Sequence, residues 1–393
     1  MSSLKVNAPE VLKESIVVPA KSLMGPGPSN SAQRVLNAMS LPTLGHLHPE
    51  FQKIMDDVKA GIQYVFQTKN ALTLALSATG HAAMEAVMVN MLEKGDIVLI
   101  ANNGIWGERA GDMATRAGAN VKMIQKEAGG SFSLEEIKKG LEAEKPKLLF
   151  VTHGESSTGV VQNLEGLGKL CHSMGVLFAV DTVASLGGVP VAADDLEIDV
   201  IYTGSQKVLG VPPGLAPISF SPKAVETIKA RKSPPQSFYL DMNWLGQYWD
   251  CYPNQARVYH HTGPVNAIYG LREGLAIAAE EGLPSLWKRH AECAQQLHKG
   301  LANLKLELFV PKADDRLPTV TTVVVPDGLD WKAVTVHAMN TYKVEIAGGL
   351  GPSAGKVWRI GLMGQNAYPE KVTLVLKALA EAIEQVRKLG GKL

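Results

Sequence analysis

The sequence has few cysteines and no long apolar run, and these two shortages exclude several classes of protein. Its 393 residues include three cysteines, Cys171, Cys251 and Cys293, whose scattered positions fit neither a disulfide framework nor a metal site. No apolar stretch approaches the ~20 residues of a transmembrane helix. The first residues, MSSLKVNAPEVLKES, have neither the hydrophobic core of a signal peptide nor the arginines of a transit peptide. The sequence therefore predicts a soluble, non-secreted protein without a membrane or metal partner.

Net charge is also small. The 39 Lys and Arg residues nearly balance the 38 Asp and Glu residues, for a net charge of +1. This balance excludes a strongly basic nucleic-acid surface. Hydrophobic residues make up 46% and charged residues 20%, as in ordinary globular proteins. Small-molecule chemistry on a fold with a sizeable core is the best expectation.

Apolar strand-like runs alternate along the chain with helical patterns. The alternation predicts βαβ units, and hence an α/β fold with a large, mostly parallel sheet. In such a sheet ligands bind at the carboxyl ends of the strands, so the polar residues that follow them are the first site candidates. Ser133 and Glu136 have capping-box spacing at a further helix start. The predicted strands are 72–77, 97–101, 121–124, 148–152, 177–183 and 200–203, and the predicted helices are 80–92, 106–116 and 164–172.

The pattern changes near residue 282, where we place a domain boundary. A long helix predicted over 264–281 ends at Gly282-Leu283-Pro284. The sequence thus predicts an N-terminal arm over residues 1–22, a large domain over 23–282 and a small C-terminal α+β domain over 283–393. In the small domain the predicted helices are 286–304, 331–341 and 369–389, and the predicted strands are 306–310, 319–325 and 357–360.

Lys207 is the residue that best indicates a chemistry. It lies 26 positions after Asp181, and both residues follow apolar runs that end at an edge of the predicted sheet. An amine and a carboxylate so placed suggest pyridoxal phosphate. This cofactor needs a lysine to hold its aldehyde as a Schiff base and an acid to keep its ring nitrogen protonated.

A phosphate site is predicted at the start of the helix that follows the first strand. The turn from Ser77 to His81 contains Gly80, and the N–H groups of a helix N-terminus bind phosphate, with the Thr79 hydroxyl as a further donor. Trp106 follows the next strand, where a flat ring would stack on a pyridine ring. Burial in the core is the alternative for this tryptophan.

Two other patterns involve cationic side chains. His260 and His261 are adjacent, but neighbours in an extended segment point to opposite sides, so we do not expect them to share a metal.

Arg359 lies in the predicted strand VWRIG between two glycine-rich segments. Its planar guanidinium would bind a substrate carboxylate through two parallel hydrogen bonds.

Eight ordered motifs extend over nearly the whole chain: MGPGPSN (24–30), SATGH (77–81), NGIWGERA (103–110), HGESSTGV (153–160), VDTVASLGG (180–188), YTGSQKVLG (202–210), YHHT (259–262) and GGLGPSAGKVWRIGLMG (348–364). Together they resemble the alanine–glyoxylate / serine–pyruvate aminotransferases, a class-V family. The resemblance implies the fold-type I pyridoxal phosphate architecture, with a seven-stranded mixed sheet in the large domain and a smaller C-terminal domain. It also implies a homodimer with active sites at the interface.

The same resemblance implies a role for each matching residue. Lys207 becomes the Schiff-base lysine, Asp181 the partner of the pyridine nitrogen and Arg359 the binder of the substrate carboxylate. Trp106 stacks on the ring and Gly27 lines the substrate pocket. The other implied site residues are Ser156, near the ring and the substrate, then Thr79, Gly80, His81 and Gln206 around the cofactor, and Tyr259 and Thr262 at the phosphate of the other subunit.

The implied reaction is a ping-pong transamination in which Lys207 moves the α-proton. L-Alanine or L-serine gives its amino group and leaves as pyruvate or hydroxypyruvate, and glyoxylate takes the group and becomes glycine. Related insect enzymes that use 3-hydroxykynurenine commonly carry an asparagine–aromatic pair where this chain has Gly45, His46 and Leu47, which favours small donors here. A kynurenine-type donor is the alternative within the family. An NAD-dependent dehydrogenase is the alternative of another class, although no G-x-G-x-x-G follows the first strand.

The C-terminal tripeptide Gly391-Lys392-Leu393 resembles a peroxisomal import signal, although serine or alanine is usual at its first position. The sequence therefore predicts a peroxisomal protein, with the cytoplasm as the alternative.

Overall fold

A computed structural model describes residues 6–390 and has a seven-stranded sheet at its centre. The C-terminal tripeptide lies outside the described residues. The strands are β1 (Leu72–Leu76), β2 (Ile97–Asn102), β3 (Asn120–Gln125), β4 (Leu148–Thr152), β5 (Gly154–Glu155), β6 (Val160–Val161), β7 (Leu177–Asp181), β8 (Val200–Tyr202), β9 (Ala216–Phe220), β10 (Val320–Val324), β11 (Ala347–Gly348) and β12 (Val357–Gly361).

The large sheet is mixed but mostly parallel, as predicted. Its order is β1-β9-β8-β7-β4-β2-β3, and β9 runs antiparallel to both of its neighbours while the other pairs are parallel. Six of these strands match the predicted runs to within two residues at either end. The seventh, β9, was not among them, because its run APISF contains Pro217 and proline argues against a central strand.

Helices cover the sheet and build the C-terminal part of the chain. The predicted capping box is confirmed: Ser133 and Glu136 exchange side-chain and backbone hydrogen bonds at the start of α5. The helices are α1 (Gln33–Met39), α2 (Pro49–Phe66), α3 (Gly80–Met91), α4 (Ile105–Arg116), α5 (Leu134–Glu144), α6 (Leu167–Ser173), α7 (Pro222–Lys229), α8 (Met242–Tyr248), α9 (Val265–Glu281), α10 (Leu283–Asn303), α11 (Trp331–Tyr342) and α12 (Pro369–Gly390).

Two local predictions are wrong. The segment 306–310 is not a strand, because only Leu308 pairs with Val323, in an isolated bridge. Helix α10 already begins at Leu283, so the break between α9 and α10 is Gly282 alone, with φ 80°. Pro284 is accommodated in the first turn of α10, where a missing N–H costs no helical hydrogen bond.

The buried apolar side chains form two clusters. The larger cluster surrounds the seven-stranded sheet. The smaller one joins α10, α11 and α12 to the sheet β10-β12-β11, and it includes Met24 from near the start of the chain. The Met24 carbonyl accepts the Gly361 amide, so the Gly25–Pro28 loop lies beside β12. The domain limits at 22/23 and 282/283 stay a prediction.

Within residues 6–390, no helix combines the length and apolar character needed to cross a bilayer. Over the same residues, no group of three or more His, Cys, Asp or Glu side chains is arranged to hold a metal ion.

Candidate active site

A cleft opens at the carboxyl ends of the parallel strands. Seven of the residues that the sequence predicted for a site line it together: Gly80, His81, Trp106, Ser156, Asp181, Gln206 and Lys207. Met84, Gly154, Val183 and Ala184 complete the lining. The fold therefore brings the predicted amine, acid and aromatic ring to one place.

Asp181 ends β7 and is held by two neutral donors. Oδ1 accepts the Val183 amide at 2.7 Å, and Oδ2 accepts the Tyr202 hydroxyl at 2.8 Å. Burial raises the pKa of Asp181 to about 6, and these two hydrogen bonds and the charge of Lys207 oppose the rise. Sequence reasoning gave Tyr202 no role, yet it ends β8 directly opposite Asp181. The sequence did contain one signal for this contact: Asp181 and Tyr202 are polar residues near the ends of consecutive predicted strands.

Replacing Asp181 by asparagine is expected to stabilise the cofactor-free protein at alkaline pH. The ordinary pKa of 3.8 rises to about 6 in the folded chain, so ionising this carboxyl destabilises the fold. The cost is absent below pH 3.8 and complete above about pH 6, where the difference between the two pKa values corresponds to roughly 3 kcal/mol. We expect Asp181→Asn to gain up to that amount in the free energy of urea unfolding at pH 8, and less at pH 5. A loss of stability at pH 8 would contradict the burial cost, and Asp195→Asn, at an exposed position, controls for removal of one carboxylate.

Lys207 lies in the turn after β8 and donates a hydrogen bond from Nζ to the Pro26 carbonyl. Burial and the positive charge of Arg359 lower the pKa of Lys207 to about 8, against the opposing charges of Asp181 and Glu345. Near neutral pH the amine is therefore neutral far more often than an ordinary lysine, although most of it is still protonated. Gly27 has φ 114°, and a Cβ on it would lie 2.2 Å from Lys207 Nζ. Gly27 therefore allows the loop to approach the amine.

The start of α3 offers donors at one end of the cleft. Thr79 is the N-cap residue, its side chain makes no capping hydrogen bond, and Gly80 and His81 begin the helix. The first-turn N–H groups have no carbonyl partner within a helix and attract an anion. Gln206 lines the same cleft, and its Oε1 is buried without a hydrogen-bond partner among the described residues.

Trp106 is fixed by hydrogen bonds from both its backbone and its side chain. The indole Nε1 donates to Ser156 Oγ at 2.9 Å. The ring also meets His81 edge to face, with centroids 5.4 Å apart at 77°. Trp106 is only partly buried and lines the cleft, which favours the predicted site role over core packing.

Arg359 lies in β12, between β10 and β11, and is only 8% exposed. Nε donates to the Gly348 carbonyl at 2.7 Å, and Nη1 donates to the Ser156 carbonyl at 3.3 Å. Burial lowers the pKa of Arg359, and the nearby charges of Glu155 and Glu345 oppose this shift. The bond to Ser156 places the guanidinium next to the cleft, as its predicted role requires.

The structure adds two carboxylates to which the sequence assigned no role, although Glu155 is one of the polar residues that follow the strand 148–152. Burial raises the pKa of Glu155 to about 7, in spite of hydrogen bonds from Ser157 and Trp106. Burial also raises the pKa of Glu345, whose carboxylate packs against Gly25 at the start of the Gly25–Pro28 loop. Both carboxylates raise the pKa of Arg359 against the effect of burial, although Glu155 is remote from Arg359 in sequence.

The YHHT segment is not part of the cleft lining of its own chain. Tyr259 is 56% exposed, and its hydroxyl lies 3.4 Å from Thr262 Oγ1. The expectation that His260 and His261 point apart is wrong, because their Nδ1 atoms lie 2.7 Å apart. Strand alternation does not hold there, since residues 251–264 form no strand. His261 Nε2 also lies 2.6 Å from Ser77 Oγ, at the predicted phosphate turn.

The chain resembles known aminotransferases over nearly its whole length. Residues 23–366 match the family described as aminotransferase class-V. An alanine–glyoxylate aminotransferase of Drosophila melanogaster is 51% identical over 99% of this chain and 98% of its own length, and one of Felis catus is 52% identical over 97% and 92%. The crystal structure of an alanine–glyoxylate aminotransferase from Nostoc sp. superposes with a TM-score of 0.92 at 46% identity, covering 96% of this chain and all of that one. This chain therefore belongs to the class-V aminotransferases, as its eight motifs indicated.

Proposed function

We propose that this protein transfers the amino group of L-alanine to glyoxylate with pyridoxal phosphate as cofactor, forming pyruvate and glycine, and that L-serine is a second donor. The observation that carries the proposal is the arrangement around Ser156. The Ser156 hydroxyl accepts a hydrogen bond from the Trp106 indole, and the Ser156 carbonyl accepts one from the Arg359 guanidinium. Lys207 and Asp181 line the same cleft as Ser156. The relatives at about half identity are alanine–glyoxylate aminotransferases, which supports this choice of substrates.

The residues of the cleft fit pyridoxal phosphate. Asp181 is a buried carboxylate bound by two neutral donors, and a protonated ring nitrogen would supply the missing opposite charge. The start of α3 suits a phosphate, and Trp106 suits the face of a ring. When bound, the cofactor supplies an aldehyde for the amino group and an electron-poor ring that stabilises negative charge at the substrate α-carbon.

Lys207 would hold the cofactor and move the proton. Its lowered pKa keeps part of the amine neutral, so Nζ could accept the α-proton of the donor amino acid and, in the second half-reaction, deliver a proton to the α-carbon of the acceptor. The Pro26 carbonyl, which accepts a hydrogen bond from Nζ, fixes the direction of the amine. Asp181 would remain ionised beside the ring and would not transfer the reacting proton.

Arg359 would bind the α-carboxylate of the amino acid and of the 2-oxo acid alike. A guanidinium forms two parallel charge-assisted hydrogen bonds to a carboxylate, which orients the α-carbon as well as holding it. Gly27 lies against Lys207 and leaves little room near the amine, which is consistent with small donors.

Absorption spectroscopy tests the proposal directly. The purified protein, supplied with pyridoxal phosphate, should be yellow. It should lose its visible absorbance on addition of L-alanine, but not on addition of NADH. A protein that stays colourless after reconstitution would overturn the assignment and reopen the dehydrogenase alternative.

A donor and acceptor screen decides the substrate. We expect L-alanine and L-serine to react faster than L-phenylalanine and 3-hydroxykynurenine, and glyoxylate to be a better acceptor than pyruvate. Gly45, His46 and Leu47, on which the choice of small donors rests, do not line the cleft of their own chain. Preference for 3-hydroxykynurenine would establish the alternative within the family.

A homodimer and a peroxisomal location complete the proposal. Exposed apolar side chains support an interface, among them Val11, Ile16 and Val17 near the N-terminus, and Tyr259 would then reach the phosphate of the partner subunit. The peroxisomal location depends on Gly391-Lys392-Leu393. Sedimentation equilibrium tests the homodimer. A fluorescent fusion with and without the last three residues tests the peroxisomal location.

A further inference from the structure

Glu155 is a fully buried carboxylate beside the cleft to which the proposed reaction gives no task. It ends β5 in a short hairpin with β6, and its exposure is 0%. A buried carboxylate destabilises a fold unless hydrogen bonds or charges compensate it. Its hydrogen bonds therefore show which groups it holds in place.

Both oxygens of Glu155 accept hydrogen bonds. Oε2 accepts the backbone N–H of Trp106 at 3.1 Å, while Oε1 accepts the N–H of Ser157 at 2.9 Å and its hydroxyl at 2.6 Å. Ser157 Oγ in turn accepts the backbone N–H of Ile105 at 3.3 Å. The first two N–H groups of α4 are thus capped by side chains from residues 155–157, because the N-cap residue Gly104 has no side chain to do so.

Gly104 permits this contact by its small size. A Cβ on Gly104 would lie 2.3–2.5 Å from the Cδ, Cγ and Oε2 atoms of Glu155, closer than any real side chain is found. The β5–β6 hairpin therefore contacts the backbone at the start of α4 directly.

The capped turn carries Trp106, and the same hairpin holds its side chain. The Trp106 indole donates to Ser156 Oγ, and the Ser156 carbonyl accepts a hydrogen bond from Arg359. Arg359 donates to carbonyl groups, whereas Glu155 accepts from Trp106 and Ser157, so the two side chains are not hydrogen-bond partners. The guanidinium N–H groups are therefore not used up by Glu155.

We propose that Glu155 is a positioning residue: by capping α4 it fixes Trp106 at the ring of the cofactor. The inference rests on the proposed function, because the cofactor belongs to that function. The three groups that face Glu155 are all donors, so an amide in its place would put an NH₂ group against at least one of them.

Hydrogen exchange and kinetics of Glu155→Gln test the proposal. In the cofactor-free protein we expect amide exchange in the peptide 103–110 to be at least about 10-fold faster than in the wild type, since the Trp106 cap is weakened. In the reconstituted enzyme we expect kcat to fall about 10-fold. The KM for L-alanine should stay close to the wild-type value, because the hydrogen bonds of Arg359 do not involve Glu155.

Two further variants separate positioning from general stabilisation. Glu136→Gln removes a capping carboxylate from the exposed start of α5, and it should change neither the exchange of 103–110 nor the kinetics. Ser157→Ala removes one donor to Glu155 together with the cap on Ile105, and it should show the same effects as Glu155→Gln at smaller size. If Glu155→Gln does not fold, Ser157→Ala decides by the same measurements.

The outcomes for the inference and for the proposed function are distinguishable. An inactive wild type would refute the function, while exchange in the cofactor-free protein would still report on the cap. With an active wild type, unchanged exchange and unchanged kcat in the tested variant would overturn the positioning role. A raised KM for L-alanine at unchanged kcat would also overturn it, because the effect would then lie at the substrate carboxylate and not at Trp106.

Discussion

Replacement of Lys207 by alanine is expected to reduce kcat at least about 10³-fold, the scale of a lost general base. The amine is buried at the cleft, held by Pro26, and has a pKa of about 8, so it is suited to accept and return a proton. The variant should retain cofactor binding more readily than turnover. The donors at the start of α3, Asp181 and Trp106 all remain in place.

Steady-state kinetics and titration with pyridoxal phosphate check this prediction together. Lys138→Ala, at an exposed position of α5, is the matched control and should leave both quantities unchanged. Wild-type turnover in Lys207→Ala would refute the proposed mechanism. Loss of turnover that followed only from loss of cofactor binding would show that the lysine acts as a tether alone.

The second large effect is expected for Arg359→Lys. The ammonium keeps the charge but cannot form two parallel bonds to a carboxylate, and loss of one charge-assisted hydrogen bond costs about 1.5–3 kcal/mol. We expect kcat/KM for L-alanine to fall about 10- to 150-fold. The KM for glyoxylate should rise as well, since the same guanidinium would bind both substrates.

Initial rates with varied L-alanine and varied glyoxylate measure this effect. Arg116→Lys, in the last turn of α4, tests the same exchange at an exposed position that pairs with Asp112, and it should behave like the wild type. An unchanged kcat/KM in Arg359→Lys would mean that another group binds the carboxylate. A loss for L-alanine without any loss for glyoxylate would contradict a shared carboxylate site.

Local sequence predicted most elements because their patterns agree with their environment. The run Leu148–Thr152 is buried on both faces, and its continuous apolar character indicated a central strand. The pattern failed where a residue was tolerated against its usual preference, as Pro217 is in β9 and Pro284 is in the first turn of α10. It also failed at 306–310, where apolar residues pack without forming a continuous ladder.

The sequence by itself predicted the chemistry of the site, since Lys207, Asp181, Trp106 and Arg359 each lie in or follow a readable strand or motif. Only the tertiary structure decided which groups form hydrogen bonds with these side chains and shift their pKa values. Tyr202 meets Asp181 through strand register, Pro26 meets Lys207 through a loop 181 positions away, and Glu155 meets the start of α4 through the glycine at 104. The reason is physical: pKa shifts and hydrogen bonds depend on distance and burial in space. Residue type and spacing along the chain do not contain that information.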